Sequence, residues 1–189
     1  MTDSYKQAIR TTLKQVRSNL SVHYRTMTSH RICTKIRATE PYRKAKRLAL
    51  YLAINGEVDL NMLWNSAPLH GKQCYFPMVK DDLSLLFLPA TPITPFKPNR
   101  FGIGEPDVSP HLAIPPEELD LVIVPLVAFD AACMRLGMGS GSYDRTFTSP
   151  RRGHILGAAY QFQRIDFIKP ESWDIPLDTV VTEQNIYRR

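Results

Sequence analysis

The sequence predicts an α/β fold, a layered α/β/α domain whose central sheet is largely parallel. Three observations lead there. Apolar stretches of strand length alternate with helical patterns along the chain. The stretch from Asp120 to Phe129 is built on a continuous Leu-Val-Ile-Val run, the composition of a parallel strand covered on both faces. The 189 residues suffice for one well-buried unit, so a single domain over residues 1–189 is expected, with no internal repeat.

The elements follow in order. Ile9, Leu13, Val16 and Leu20 fall at helical spacing and predict a helix over 4–20. Lys6, Arg10, Lys14 and Arg17 recur on the same helix about a quarter-turn away. Ser21 is placed to cap a second helix reaching residue 38, with Met27, Ile32 and Ile36 as core positions. Residues 47–53 read as the first strand. Gly56-Glu57-Val58-Asp59 makes a turn, with Asp59 capping a helix that carries Leu60, Leu63 and Trp64. Residues 73–79 and 84–88 read as two strands of a hairpin. Eight of the fifteen prolines lie between Pro89 and Pro116, which predicts a long ordered loop without regular structure. The strand at 120–129, a helix near 142–148 and strands at 154–160 and 179–182 complete the reading.

Composition narrows the class. An apolar fraction of 43% and a charged fraction of 22% suit an ordinary soluble protein. No apolar run approaches bilayer length, and the first residues lack a signal-peptide core, so a cytoplasmic protein without membrane contact is expected. Cys33, Cys74 and Cys133 form no CxxC pair and predict buried thiols, not a disulfide framework or zinc site. Net charge is +6, and residues 1–50 hold 12 of the 24 basic residues with two of the 18 acids, which leaves the remainder net −4. Such a basic section attracts anions. A nucleic-acid-binding module is therefore one alternative, but the basic residues share helices with apolar stripes and no RNA-binding motif is present.

The chemistry concentrates in Arg135-Leu-Gly-Met-Gly-Ser-Gly-Ser-Tyr-Asp-Arg145. Gly137, Gly139 and Gly141 alternate with other residues, so the backbone can take positive φ and turn several N–H groups into one concavity. The loop reads either as a phosphate cradle or as a tight structural turn. It is neither a Walker loop nor a dinucleotide fingerprint. Asp144 supplies a carboxylate suited to Mg²⁺, and Arg135 and Arg145 supply positive charge. The histidines at 23, 30, 70, 111 and 154 pair with no recognisable nucleophile, and Ser140 and Ser142 sit in no nucleophile elbow.

Together, the run from Asp120 to Asp130 and the loop from Arg135 to Arg145 resemble the signature of the 5-formyltetrahydrofolate cyclo-ligase family, also called methenyltetrahydrofolate synthetases. Lys6 and Arg10, the Gly56–Asp59 turn, Pro77, Phe101-Gly-Ile-Gly-Glu-Pro106 and Gly157-Ala-Ala-Tyr160 extend the resemblance along nearly the whole chain. Two departures stand out. Family members usually read Gly-Gly-Gly-Tyr-Tyr-Asp or Gly-Lys-Gly-Tyr-Tyr-Asp where this chain has Gly139-Ser-Gly-Ser-Tyr-Asp144. They also read Ile-Pro-Glu-Pro where it has Ile103-Gly-Glu-Pro106. Ser142 keeps the backbone cradle and removes one aromatic surface.

The resemblance implies a fold similar to sugar-phosphate isomerases and CoA transferases. It implies ATP-dependent conversion of 5-formyltetrahydrofolate, with or without a polyglutamate tail, to 5,10-methenyltetrahydrofolate, with release of ADP and phosphate. The implied ATP contacts are Lys6, Arg10, Arg135, Gly137, Met138, Gly139, Ser140, Gly141, Ser142 and Tyr143. Arg135 and Arg145 would act on the transferred phosphoryl group and Asp144 would hold Mg²⁺. Glu57, Phe101, Tyr143 and Tyr160 would meet the folate. A monomer is expected, without nucleic-acid partners. Two alternatives remain open: an isomerase or transferase on the same fold that needs no ATP, and a regulatory protein that binds folate or ATP without turnover.

Overall fold

A computed structural model describes residues 2–148 and 153–189. Helix α1 (Thr2–Ser18) leads into α2 (Val22–Ala38), whose cap Ser21 accepts a hydrogen bond from the Tyr24 N–H as expected. A short α3 (Glu40–Lys44) brings the chain to β1 (Arg47–Ala49), and α4 (Asn61–Ser66) connects it to β2 (Gln73–Val79) and β3 (Leu85–Pro89). The residue capping α4 is Leu60, not the expected Asp59, whose carboxylate accepts the Asn61 N–H at 2.8 Å from one position earlier. The remaining elements are β4 (Phe96–Pro98), β5 (Gly104–Pro106), β6 (Leu121–Val124), β7 (Ala128–Phe129), β8 (Arg135–Leu136), α5 (Ser142–Thr146), β9 (His154–Ala158), β10 (Thr179–Val181) and β11 (Ile186–Arg188).

The main sheet has seven strands in the order β11-β10-β9-β6-β1-β2-β3. The five central strands run parallel, and β3 and β11 close the edges antiparallel. This is the predicted α/β class. Side chains alternate across the sheet: Leu48, Leu121, Ile123 and Leu156 meet α2 and α4 on one face. Ala49, Val122, Val124, Ile155 and Val180 pack on the other with Phe129, Phe147 and Leu177. Both faces are thus covered, which accounts for the unbroken apolar runs. No helix among the described residues is long and apolar enough to cross a membrane.

Several expectations are corrected. The strands read over 47–53 and 154–160 end at Ala49 and Ala158. The strand read over 120–129 stops at Val124, because Pro125 cannot donate to the ladder; the chain then folds into the separate antiparallel hairpin β7–β8. The proline-rich section is not devoid of regular structure, since β4 and β5 pair in register from Phe96↔Pro106 to Pro98↔Gly104. The two prolines there sit in a two-stranded ribbon that needs few donors. Met27, expected in the core, is exposed, and so is Val16 of the apolar stripe on α1. Ile9 and Leu13 instead pack α1 on Ala128, Leu136 and Ile168, and Leu20 joins the main core.

β1 leads to β2 on one side, whereas β6 leads to β9 and β10 on the other. The carboxyl ends of β1 and β6 therefore flank the point where strand order reverses, the usual ligand crevice of an open α/β sheet.

Candidate active site

Two cavities open at that crevice and share one wall. The first, about 310 Å³, is lined by residues after β1 (Tyr51, Leu52, Ile54 and Glu57), by Pro77 and Val79 of β2, and by Pro125. Phe101 and the glycine loop close it. The second, about 430 Å³, is lined by Lys6, Arg10, Glu171, Trp173 and Asp174. Arg135, Gly137, Gly141 and Asp144 face both, so the stretch from Arg135 to Asp144 is the partition.

The partition owes its shape to its glycines. Gly139 has φ +116° and Gly141 φ +68°, conformations that L side chains adopt only with strain. Gly141 opens α5, and its carbonyl accepts the Arg145 N–H at 2.9 Å. Ser140 and Ser142 face each other, with hydroxyls 3.1 Å apart.

The charged groups hold the wall from both sides. Arg135 is buried; its guanidinium donates to the Asp144 Oδ1 at 2.7 Å and to the Ile175 carbonyl. The Ile175 N–H donates to the same Oδ1 at 3.0 Å. From α1, the Arg10 Nε–H donates to the Gly137 carbonyl at 3.0 Å. One helical turn earlier, Lys6 Nζ lies 3.2 Å from Glu171 and 3.7 Å from Asp174. The i, i+4 spacing of Lys6 and Arg10 puts both on one face, which α1 turns into the second cavity.

Glu57 is the carboxylate of the first cavity. It is almost wholly buried, and its Oε2 accepts the Ile54 N–H at 3.1 Å. Burial pushes its pKa up from the ordinary carboxylate value, while Arg17, the Ile54 N–H and Lys14 pull it back. Tyr143 is also raised, by burial and then by the nearby Glu57, so its hydroxyl stays a neutral donor. Phe101 is half exposed at the mouth, with the Arg100 guanidinium 5.1 Å above its ring.

Most of the expected residues therefore line the two cavities: Lys6, Arg10, Gly139 and Asp144 in the second; Met138, Ser140, Ser142, Tyr143, Glu57 and Phe101 in the first. Two do not. Arg145 lies on the exposed outer side of the loop, donating to the Ser140 carbonyl at 2.7 Å, and lines neither cavity. Tyr160 is fully buried behind Glu57, its hydroxyl 3.4 Å from the Glu57 carbonyl. Both brace the site from behind. Sequence reading missed Asn99, whose side chain accepts the Phe101 and Ile103 N–H groups and donates to Glu105 at 2.8 Å. The Asn-x-x-Gly turn at 99–102 is the signal that would have found it.

The chain is similar to known proteins in sequence and in fold. The family model of the 5-formyltetrahydrofolate cyclo-ligase family covers residues 2–183. The chain belongs to the 5-formyltetrahydrofolate cyclo-ligase family. It is on that ground an enzyme of the cyclo-ligase class. The 5-formyltetrahydrofolate cyclo-ligase of Haemophilus influenzae is 36% identical over 181 residues, covering 94% of this chain and 97% of the relative. That of Escherichia coli K12 is 32% identical, covering 93% and 98%. Among solved structures, a 5,10-methenyltetrahydrofolate synthetase from Aquifex aeolicus superposes with a TM-score of 0.84 at 34% identity, over 97% of this chain and 92% of that one. A 5,10-methenyltetrahydrofolate synthetase from Mycoplasma pneumoniae gives 0.77 at 26% identity, over 94% and 98%.

Proposed function

We propose that this chain converts 5-formyltetrahydrofolate to 5,10-methenyltetrahydrofolate at the expense of ATP. The observation that carries this reading is the shared wall: a cavity with apolar sides and one buried carboxylate, Glu57, meets across a single glycine loop a cavity edged by Lys6, Arg10 and Arg135 together with Asp144, Glu171 and Asp174. The folate pterin belongs in the first, where Glu57 can accept hydrogen bonds from an amino-pyrimidine edge and Phe101 and Tyr143 offer ring faces. The nucleotide's phosphates belong in the second, against Lys6, Arg10 and the N–H groups of residues 137–142.

The formamide oxygen is a poor nucleophile and a poor leaving group. Its attack on the terminal phosphorus forms an O–P bond and breaks the bond to ADP. N10 then attacks the formyl carbon, its proton passes to solvent, and phosphate leaves as the five-membered ring closes. The protein's task is mainly to position the reactants and neutralise charge. Holding N10 beside the activated carbon supplies up to about 7–11 kcal/mol of the barrier reduction. Arg135, fixed by Asp144 and Ile175, is the buried cation we assign to the transferred group.

We assign Mg²⁺ to Asp144. The carboxylate borders both cavities, and its two hydrogen bonds fall on Oδ1. Mg²⁺ is commonly held by one or two carboxylates together with substrate phosphates. That no three His, Cys, Asp or Glu side chains cluster among the described residues is thus no obstacle. Bound there, the ion would offset phosphate charge.

The test mixes the protein with 5-formyltetrahydrofolate, ATP and Mg²⁺ and follows the longer-wavelength absorbance of the conjugated methenyl product. Growth of that band with matching ADP supports the reading. No band and no ADP would overturn it, and substrate loss without ATP would favour an isomerase or transferase. We further propose a monomer, to be checked by its mass in solution.

A further inference from the structure

Arg17 belongs to the basic face of α1, and its position is unlike that of its neighbours. Its side chain is only 2% exposed, although it sits in the last turn of the helix. The Nε–H donates to the Asn55 carbonyl at 2.9 Å and Nη1 to the Leu126 carbonyl at 3.2 Å. Nη2 is buried, makes no hydrogen bond and points toward Glu57, 3.6 Å from Oε1. One guanidinium thus ties α1 to the turn that carries Glu57 and to the segment leaving β6. A second brace closes the ring: the Gln163 amide donates to the Leu126 and Val127 carbonyls at 2.8 and 2.9 Å, and Gln163 Oε1 accepts the N–H of Tyr160.

A buried charge without a partner is costly, and a fixed planar fork is the side chain suited to holding a carboxylate in one orientation. Nη2 is a donor without a hydrogen bond, and Glu57 is the acid facing it. The other titratable groups around Glu57 are Lys14 on α1, Tyr51 after β1, Tyr143 on α5 and Tyr160 behind it. Among the described residues, Arg17 alone forms a buried ion pair with Glu57. Asn55 and Gly56, between the two, have φ of +48° and +75°, a conformation that the Arg17 contact to Asn55 helps to hold.

We propose that Arg17 is a positioning residue for folate recognition: it orients the Glu57 carboxylate toward the first cavity and faces it with the opposite charge. The proposal rests on the reading that Glu57 meets the substrate's amino-pyrimidine edge. Because the same helix carries Lys6 and Arg10 into the second cavity, α1 serves both substrates from its two ends.

The experiment compares Arg17→Met in two backgrounds, wild type and Glu57→Gln, with 5-formyltetrahydrofolate and ATP varied separately. In wild type, Arg17→Met should raise the folate KM about tenfold or more, with kcat and the ATP KM changed by no more than about twofold. In the Glu57→Gln background the same substitution should change the folate KM by less than about twofold, because its target is already neutral. Equal losses in both backgrounds, or no loss in either, would overturn the assignment. If Arg17→Met does not fold, the same comparison is made with Arg17→Lys, which keeps the cation but loses the fork. A dependence on Glu57 supports the proposal and its absence overturns it. If Glu57→Gln alone leaves the folate KM unchanged, the reading of Glu57 itself fails and the role of Arg17 falls with it.

Discussion

Gly56 offers a quantitative test of how tightly the Glu57 turn is held. Its φ is +75°, and a Cβ placed there would lie 2.7 Å from the backbone oxygen of Arg17 and 3.2 Å from its Cγ. The oxygen belongs to the end of α1 and cannot swing aside as a side chain would. Two costs therefore add in Gly56→Ala: about 1–2 kcal/mol for a left-handed alanine and about 1–3 kcal/mol for crowding against immobile atoms. Gly71 supplies the control. Its φ is +67°, but nothing lies within 4 Å of where its Cβ would stand, so Gly71→Ala should cost only the backbone share, about 1–2 kcal/mol. Urea unfolding of both variants measures the difference. Gly56→Ala should lose about 2–5 kcal/mol, a fall of roughly 4–20 °C in Tm for a chain of this size, and its folate KM should rise more than its ATP KM. If the two variants are equally stable, the packing of the turn against α1 is not what the geometry indicates.

Glu57 leads to a pH effect. Its pKa is raised, so as pH falls it gains a proton earlier than an ordinary glutamate; kcat/KM for the folate should decline on an acidic limb above the ordinary value of 4.5, and a profile flat down to that value refutes the role. Lys6→Ala should raise the ATP KM, since α1 turns this cation into the second cavity, to which we assign the phosphates; unchanged kinetics would return Lys6 to a merely structural pair with Glu171 and Asp174. Asp144→Asn should lower turnover and also cost about 1–3 kcal/mol, because it weakens the bond to buried Arg135; full activity would remove the metal assignment. Burial pushes the Cys33 and Cys74 thiols up to about 12 and raises Cys133 as well. A disulfide reagent at pH 8 should therefore leave the native thiols unmodified and titrate them all after unfolding, and rapid native labelling would contradict the burial.

Local patterns foretold the elements whose stability is local. The Ser21 cap, the strand at 73–79 and the glycine loop before α5 could all be read along the chain. Tertiary context decided the rest. The ribbon of β4 and β5 is hidden by its prolines, because a two-strand pair tolerates donors that a central strand cannot lose. The hairpin β7–β8 merges with β6 in the sequence because apolar character continues past Pro125. In the site, Lys6 and Glu57 were legible through their motifs. Arg17 was not: its helical spacing is that of a solvated face, and only the packing of α1 against residues 55 and 126 shows that it is buried. The outward placement of Arg145 has the same origin, since adjacent helix residues point in different directions.

The partners of α1 lie far along the chain: Leu126 for Arg17, Gly137 for Arg10 and Glu171 for Lys6, at separations of 109, 127 and 165 residues. These partners all follow the helix in the chain, so its seat exists only once residues through Glu171 have been made. Contacts of such long span are late and entropically expensive. We therefore expect the nascent chain to carry an undocked amphipathic helix until those residues have emerged, so that the second cavity, which Lys6 and Arg10 line, is completed late in folding.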